Sequence, residues 1–352
     1  MTVTESAVER SRPSATRKRR VPTLVWPLLT LAVILLFNAV FTQGFFRIEM
    51  KDGRLFGSLI DIPDRAAPAM LVAIGMTLVL ATGGVDLSVG AVMAISATMA
   101  AWLIKVQGWP FAAAVSVSLL TSVLAGAWNG LLVAWLELQP IVATLILMVA
   151  GRGIAQLLGG GQILTVDDAA FNYIGSGYFL WVPFTFTLVA IMLALTAWGT
   201  RRTAAGLFIE SVGNNATASE YAGVNAKLVK LAAYTFCGLC SGLAGLVAAS
   251  DIRAADANNV GLYLELDAIL AVVIGGTSMN GGRFMLIGSI IGALIIQSMT
   301  TTILMTKIGG RSIPAEATLV VKSIVVLVVC LLQSDLLRQR LFKARSRQVA
   351  KG

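Results

Sequence analysis

The chain has 352 residues, 57% of them AVILMFWYC, with 13% charged residues, no histidine and a formal net charge of +9. Its mean hydropathy is +0.83. A soluble domain carries about 25% charged residues, so a water-soluble globular fold is excluded and one polytopic membrane domain is expected. The lack of histidine removes the commonest general base and metal ligand, and no Cys/carboxylate cluster has metal-ligand spacing.

Residues 1–23 form a basic arm, with Arg10, Arg12, Arg17, Lys18, Arg19 and Arg20 against Glu5 and Glu9. Such an arm can bind nucleic acid, but directly before an apolar span it fixes topology by staying cytoplasmic, so no nucleic-acid partner is expected. Leu24–Thr42 is long for a signal-peptide core and lacks a small-x-small cleavage site, which reads as a retained first span. Further spans are expected at Ala66–Ala81, Val85–Ile104, Pro110–Trp135, Pro140–Leu158, Leu180–Gly199, Leu231–Ser250, Asp267–Met279, Phe284–Met305 and Ala315–Leu332. The fold class is therefore all-α, an integral membrane bundle of about ten helices, with a basic tail at 333–352. Lys and Arg on the loops sharing a side with both termini outnumber those opposite by about two to one, which makes both termini cytoplasmic.

The stretch from Leu71 to Ala94 carries an apolar helix, a break at Thr82–Gly84, and a second helix opened by Asp86 and Ser88. The first helix, counted from Ala66, is short for a hydrocarbon core of about 30 Å, which puts the Gly83-Gly84 backbone at membrane depth and in need of shielding. Gly275-Gly276 ends a second short helix, and each glycine pair is followed six residues on by another glycine, Gly90 or Gly282. That repetition suggests an internal duplication, although glycine pairs are also common in close-packed membrane helices.

The one sizeable cytoplasmic loop, 200–230, contains VGNNATASEYAGV. Asn214 or Asn215 can cap a short helix through Glu220 and Tyr221, which Gly223 then stops. Such a helix buries little of its own surface, so it is either a surface turn or a docking helix for a soluble subunit. The opposite loops, Gln43–Arg65, Gly159–Phe179, Asp251–Leu266 and Lys307–Pro314, either receive an external protein or are solvated caps.

No Gly-Lys dipeptide occurs, so the chain holds no P-loop, and no cofactor of its own is expected. Asp86 is the one carboxylate placed as an ion-coupled carrier would need it, and it serves equally as a helix cap. Asn129, Arg152, Gln156, Gln297 and Lys322 either line a path for a polar solute or bond between helices. Cys237 and Cys240 form a C-x-x-C inside an apolar run, where two small fillers outweigh redox chemistry. No cluster of acid/base residues at one face supports a membrane enzyme, and no catalytic residue or metal ligand is assigned.

AIGMTLVLATGGVDLSVGAVMA, VGNNATASEYAGVNAKLVK and LDAILAVVIGGTSMNGGR together resemble the permease subunit of ribose-type bacterial ABC sugar importers. The resemblance runs from about Ala66 to Leu332. KDGRLFGSLIDIPDRAAP, QPIVATLILMVAGRGIAQL and DIRAADANNVGLYLELDAILAVVIGG are similar to its galactofuranose branch in enteric bacteria. Phe284 departs from the glycine usual after GGR in ribose permeases but fits that branch, and Met279-Asn280 departs from both. The resemblance implies a transmembrane permease domain over 24–332 in the inner membrane. It implies a second permease subunit of different or identical sequence, a cytoplasmic ATPase with two fused cassettes that uses the ATP, and a periplasmic sugar-binding protein. It also implies that Gly213, Asn214, Asn215, Glu220, Tyr221 and Gly223 belong to the ATPase-coupling loop. Gly83, Gly84, Gly275 and Gly276 are then hinge or gate candidates, and Asp86, Ser88, Asn129 and Gln297 pathway candidates. The implied cargo is a monosaccharide, galactofuranose first, with another pentose or hexose as the alternative and a self-sufficient secondary transporter as a further one.

Overall fold

The computed structural model describes residues 24–41, 45–51, 54–305, 307, 308, 311, 312 and five positions between 319 and 327. The basic arm, most of the Ala315–Leu332 span with Lys322 and Cys330, and the basic tail lie outside the described residues. α1 (Val25–Phe41) is followed by a hairpin of β1 (Glu49–Lys51) and β2 (Arg54–Phe56), then α2 (Ser58–Ala81), α3 (Val89–Lys105), α4 (Phe111–Ala134) and α5 (Pro140–Leu158). β3 (Leu164–Thr165), α6 (Ala169–Ser176) and the β4–β5 hairpin (Tyr178–Phe179, Val182–Pro183) lead into α7 (Phe184–Arg202). Next come α8 (Ala205–Asn214), α9 (Ala216–Tyr221) and α10 (Ala226–Asp251), then β6 (Ala254–Ala255), α11 (Leu264–Ile274) and α12 (Leu286–Met305). β7 (Lys307–Ile308) and β8 (Arg311–Ser312) pair after α12.

The protein is an all-α bundle; among the described residues six helices, α2, α4, α5, α7, α10 and α12, are long and apolar enough to cross a membrane. α1 and α3 are shorter apolar helices. α2 and α10 form the core. Every residue of α2 from Met70 to Ala81 is buried, as a helix apolar all round must be. α10 crosses α4 where Gly126 meets Gly238, and it crosses α2 where Gly75 meets Cys237 and Cys240. Both thiols are buried and free, and they fill space at that crossing. Small residues allow backbones to approach closely in a setting where water does not drive helices together. Serine hydroxyls bind the same layer, with Ser96 and Ser118 2.8 Å apart and Ser96 Oγ donating to the Gly242 carbonyl at 2.9 Å. Thr77 of α2 donates to Ser289 of α12 at 2.7 Å.

Five expectations change. α2 has 24 residues, or about 36 Å, so it is no short span. Pro63 and Pro68 lie inside it without ending it, and Asp64 in its charged first turns is held by the Thr185 hydroxyl at 2.5 Å. α11 is only 11 residues long, or about 16 Å, so Asp267–Met279 does not cross as a helix, because it stops at Gly275-Gly276. α3 begins at Val89 because Val85–Ser88 is held in a polar turn, and α7 begins at Phe184 because the β4–β5 hairpin takes the preceding residues. Finally, Asp251–Leu266 is not simply a surface loop. Its second half dips into the bundle, where Gly261 meets Gly90 at the start of α3. Arg152 of α5 donates to the Ala257 and Val260 carbonyls there at 3.0 and 2.6 Å, and Gln156 donates to Asn258 at 2.7 Å. These two side chains tie α5 to a re-entrant loop.

Candidate functional site

α2 and α11 end alike. Gly83 N–H donates to the Leu80 carbonyl and Gly84 N–H to Val79; Gly276 N–H donates to Val273 and Thr277 N–H to Val272. Gly83 and Gly276 take the left-handed backbone, φ 81° and 94°. Each is therefore a Schellman end, in which a left-handed glycine lets two further amides satisfy orphan helix carbonyls. The hydrogen bonds equate Gly83 with Gly276, one residue out of step with the glycine-pair register read from the sequence. Gly275 serves a different purpose, since it lies against Gly288 where α11 and α12 pack.

The two ends touch. Gly282 N–H, in the turn after the second end, donates to the Ala81 carbonyl at the first, at 2.9 Å. A third segment closes on that hydrogen bond: a methyl on Gly213, near the end of α8, would collide with the Ala81 carbonyl oxygen and lie 2.5 Å from Gly282 N. A methyl on Gly281 would lie 2.6 Å from the Gly213 carbonyl oxygen, and one on Gly282 would strike the Asn214 side chain. Three glycine-bearing turns, distant in sequence, thus meet backbone to backbone.

Directly after Asn214 comes α9. Asn215 caps it by accepting from Ala218 N–H at 2.9 Å. Gly223, at φ 86°, stops it, with its N–H donating to Glu220 at 2.9 Å. Of the two caps the sequence allowed, Asn215 is the one used. Glu220 is exposed, and Tyr221 is 89% exposed. An aromatic side chain left this bare on a six-residue helix does nothing for the bundle core. Beside α9 lies a polar groove of about 370 Å³ that also takes in Glu137 and Lys227, an ion pair at 3.7 Å.

In the turn that follows Gly84, Asp86 and Ser88 join Asn129, Thr144 and Tyr234 in a polar knot. Ser88 donates to Asp86 Oδ1 through its N–H at 2.9 Å and its hydroxyl at 2.7 Å. Asn129 Nδ2 donates to Ser88 Oγ at 2.8 Å and lies 3.5 Å from Asp86 Oδ1. Thr144 Oγ1 accepts from Leu87 N–H at 3.2 Å, and the Tyr234 hydroxyl donates to the Val85 carbonyl at 3.3 Å. Asp86 therefore does not cap α3, whose N-cap, Ser88, makes no side-chain capping bond. Instead Asp86 organises the turn between Gly84 and α3, and the donors around it are what a buried carboxylate requires. Asn129 Oδ1 is buried with no hydrogen-bond partner among the described residues. Gln297, half-buried on α12, bonds to neither the junction nor the knot.

The structure thus unites Gly83, Gly213 and Asn214 with Gly281 and Gly282 at one junction, and Asp86, Ser88 and Asn129 in the knot. It leaves Gly275 in helix packing and Gln297 apart. Sequence reasoning missed α8, Gly281, Thr144 and Tyr234. α8 was legible as a run of helix formers before Asn214, whereas Tyr234 sits in an apolar run with nothing to single it out.

A polytopic helical bundle with two interrupted helix ends facing a capped exposed helix defines a membrane transport component. Residues 58–330 match the family described as branched-chain amino acid transport system / permease component. The chain belongs to this family of multi-pass permeases. It is 52% identical to the galactofuranose transporter permease of Escherichia coli K12, over 91% of this chain and 92% of that protein. It is 34% identical to the fructose import permease of Bifidobacterium longum, over 93% and 94%, and 29% identical to the ribose import permease of E. coli K12, over 90% and 97%. No solved structure matches the chain.

Proposed function

We propose that this chain is the permease subunit of an ATP-driven importer of the bacterial inner membrane, carrying a monosaccharide, galactofuranose first, into the cytoplasm. The observation that carries the mechanism is the backbone junction of Gly213 with Ala81 and Gly282. In this reading α9 docks in a cytoplasmic ATPase with two fused cassettes, and Glu220 and Tyr221 make the contact. Movement of α9 passes through Asn214 and Gly213, with no flexible spacer, to the ends of α2 and α11. Gly83 and Gly276 act as hinges, and the knot around Asp86, Ser88 and Asn129 fixes the direction in which α3 leaves the hinge.

The remaining roles follow from that arrangement. ATP belongs to the partner, and this chain binds no cofactor. Both termini are cytoplasmic, with the transmembrane domain at 24–332, the coupling loop at 200–230, and the basic arm and tail at the inner face. The exposed apolar faces of α4, α5 and α7 meet lipid and a second permease subunit, a different chain or a second copy. A periplasmic binding protein delivers the sugar. The 52% identity to a galactofuranose permease supports that cargo. The fructose and ribose permeases among the relatives support a second reading, the same machine carrying another hexose or pentose.

The test is uptake of labelled galactofuranose, galactopyranose, ribose and arabinose by cells lacking the gene, with and without complementation. Loss of galactofuranose uptake alone, restored by the gene, is the expected result. Loss of a different sugar moves the cargo to that sugar. Uptake that survives deletion of the ATPase and depends on Asp86 would make this a secondary transporter.

A further inference from the structure

At the end of the bundle opposite α9 a cleft of about 800 Å³ opens between α6, the β4–β5 hairpin and the residue that joins α10 to β6. Its walls include the aromatic Tyr173, Tyr178 and Trp181 and the polar Asp167, Asn172 and Arg253. The walls are fixed by backbone bonds. Val166 N–H donates to the Arg253 carbonyl at 2.9 Å, beside the β3–β6 pairing of Thr165 with Ala254, which holds Asp167 and Arg253 next to each other in space. The Tyr173 hydroxyl donates to the Tyr178 carbonyl at 2.7 Å, and the Tyr173 ring packs on Phe184 with centroids 5.2 Å apart. The hairpin turns on Leu180 and Trp181, both left-handed at φ 49° and 67°. Bulky residues rarely adopt that backbone, and here the result is an indole that is 64% exposed.

Three polar side chains in this cleft are uncommitted. Among the described residues, Asp167 and Arg253 form no ion pair or side-chain hydrogen bond. The Asn172 amide is likewise unbonded, its Oδ1 lying buried without a partner.

We propose that this cleft is a saccharide-binding subsite, taking a neutral monosaccharide as it reaches the permease. The proposal rests on the transport reading above. The carboxylate only accepts and the guanidinium only donates, while a sugar hydroxyl does both, so adjacent hydroxyls can satisfy Asp167 and Arg253 together. Their charges cancel, so a solute of either sign finds no net Coulombic attraction there. An apolar solute would desolvate both without recompense. The indole and phenol rings offer flat apolar faces to the C–H side of a sugar ring. The volume falls within the range of about 300–1,000 Å³ typical of small-ligand sites.

The test uses the full transporter complex in lipid nanodiscs without the binding protein, and saturation-transfer NMR. Methyl β-galactofuranoside and ribose are the neutral probes, gluconate and glucosamine the charged comparators. The expected result is saturable transfer to the neutral sugars only. Trp181→Ala should weaken binding about three- to tenfold, and Asp167→Asn with Arg253→Gln should abolish it. Trp198→Ala, which removes a tryptophan 65% exposed at the other end of α7, should leave it unchanged. Equal signals in all variants, or none in the wild type, would overturn the proposal. So would variants that lose only stimulation of the ATPase by the binding protein, since the cleft would then dock protein. Quenching of Trp181 by brominated lipid would instead place the hairpin in the bilayer and overturn it too. Failure of the complete wild-type system to import any of these sugars would sink the transport reading, a result obtained independently of the cleft.

Discussion

Gly213→Ala is the most direct probe of the junction. The added methyl would fall on the Ala81 carbonyl oxygen and within 2.5 Å of Gly282 N, whose N–H makes the 2.9 Å hydrogen bond to that carbonyl. All the nearby atoms are backbone, so no flexible side chain can move aside. Overpacking of this kind costs about 1–3 kcal/mol, and a buried backbone hydrogen bond forced open costs about 1–3 kcal/mol more. Two kcal/mol directed against the closed junction already lowers its population about 30-fold. In proteoliposomes with the ATPase and binding protein, sugar uptake should therefore fall at least tenfold while basal ATP hydrolysis stays near wild type. The melting temperature of the purified complex should also drop. Gly199→Ala is the control, because Gly199 is helical and a methyl there meets nothing within 4 Å. Alanine at such a position should be neutral or stabilising by up to about 1 kcal/mol. Wild-type uptake and melting of Gly213→Ala would refute the tight junction and, with it, rigid transmission from α9.

Other sites give further expectations. Tyr221→Ala and Glu220→Arg change exposed side chains, so membrane insertion and melting should hold while co-purification of the ATPase and uptake fall; normal co-purification would remove α9 as the docking helix. Gly83→Val and Gly276→Val place a β-branched residue at φ 81° and 94°, at a cost of about 1–2 kcal/mol each. Transport should fall at unchanged expression, and full activity in both variants would leave the glycines with no hinge role. Asp86→Ala removes the acceptor of both Ser88 donors and should destabilise the fold by about 2–4 kcal/mol, read as a lower melting temperature; Asp86→Asn, which keeps an acceptor, should cost less. Arg152→Gln removes two bonds to the re-entrant loop, so a disulfide trap between α5 and that loop should form more slowly than in the wild type. An unchanged trapping rate would mean that the loop is held elsewhere.

Much of the site was readable one segment at a time. Asn215 and Gly223 announce α9 because a cap and a stop are local chemistry, satisfied within a few residues of chain. Gly83 and Gly276 announce helix ends for the same reason. The extent of α2 was misread because Asp61, Asp64 and Arg65 look like a boundary. Only the packing of Thr185 against Asp64 reveals that the helix runs on through them. The glycine-pair register slipped by one because the sequence shows which residues are glycine and not which of them takes the left-handed turn.

Composition and local pattern by themselves determined that the chain is a membrane bundle, that two of its helices break at glycine, and that a capped helix stands in the 200–230 loop. These are properties of hydrophobic period and backbone freedom, carried by neighbouring residues. Only the tertiary structure decided that Gly213 closes on Ala81 and Gly282, that Asp86 secures a turn instead of capping a helix, and that Arg152 holds a loop folded back into the bundle. Each of these is a contact between segments remote in sequence. It is set by the way α2, α8, α10 and α11 cross, and contacts of that range leave no period, cap or charge pattern in the chain itself.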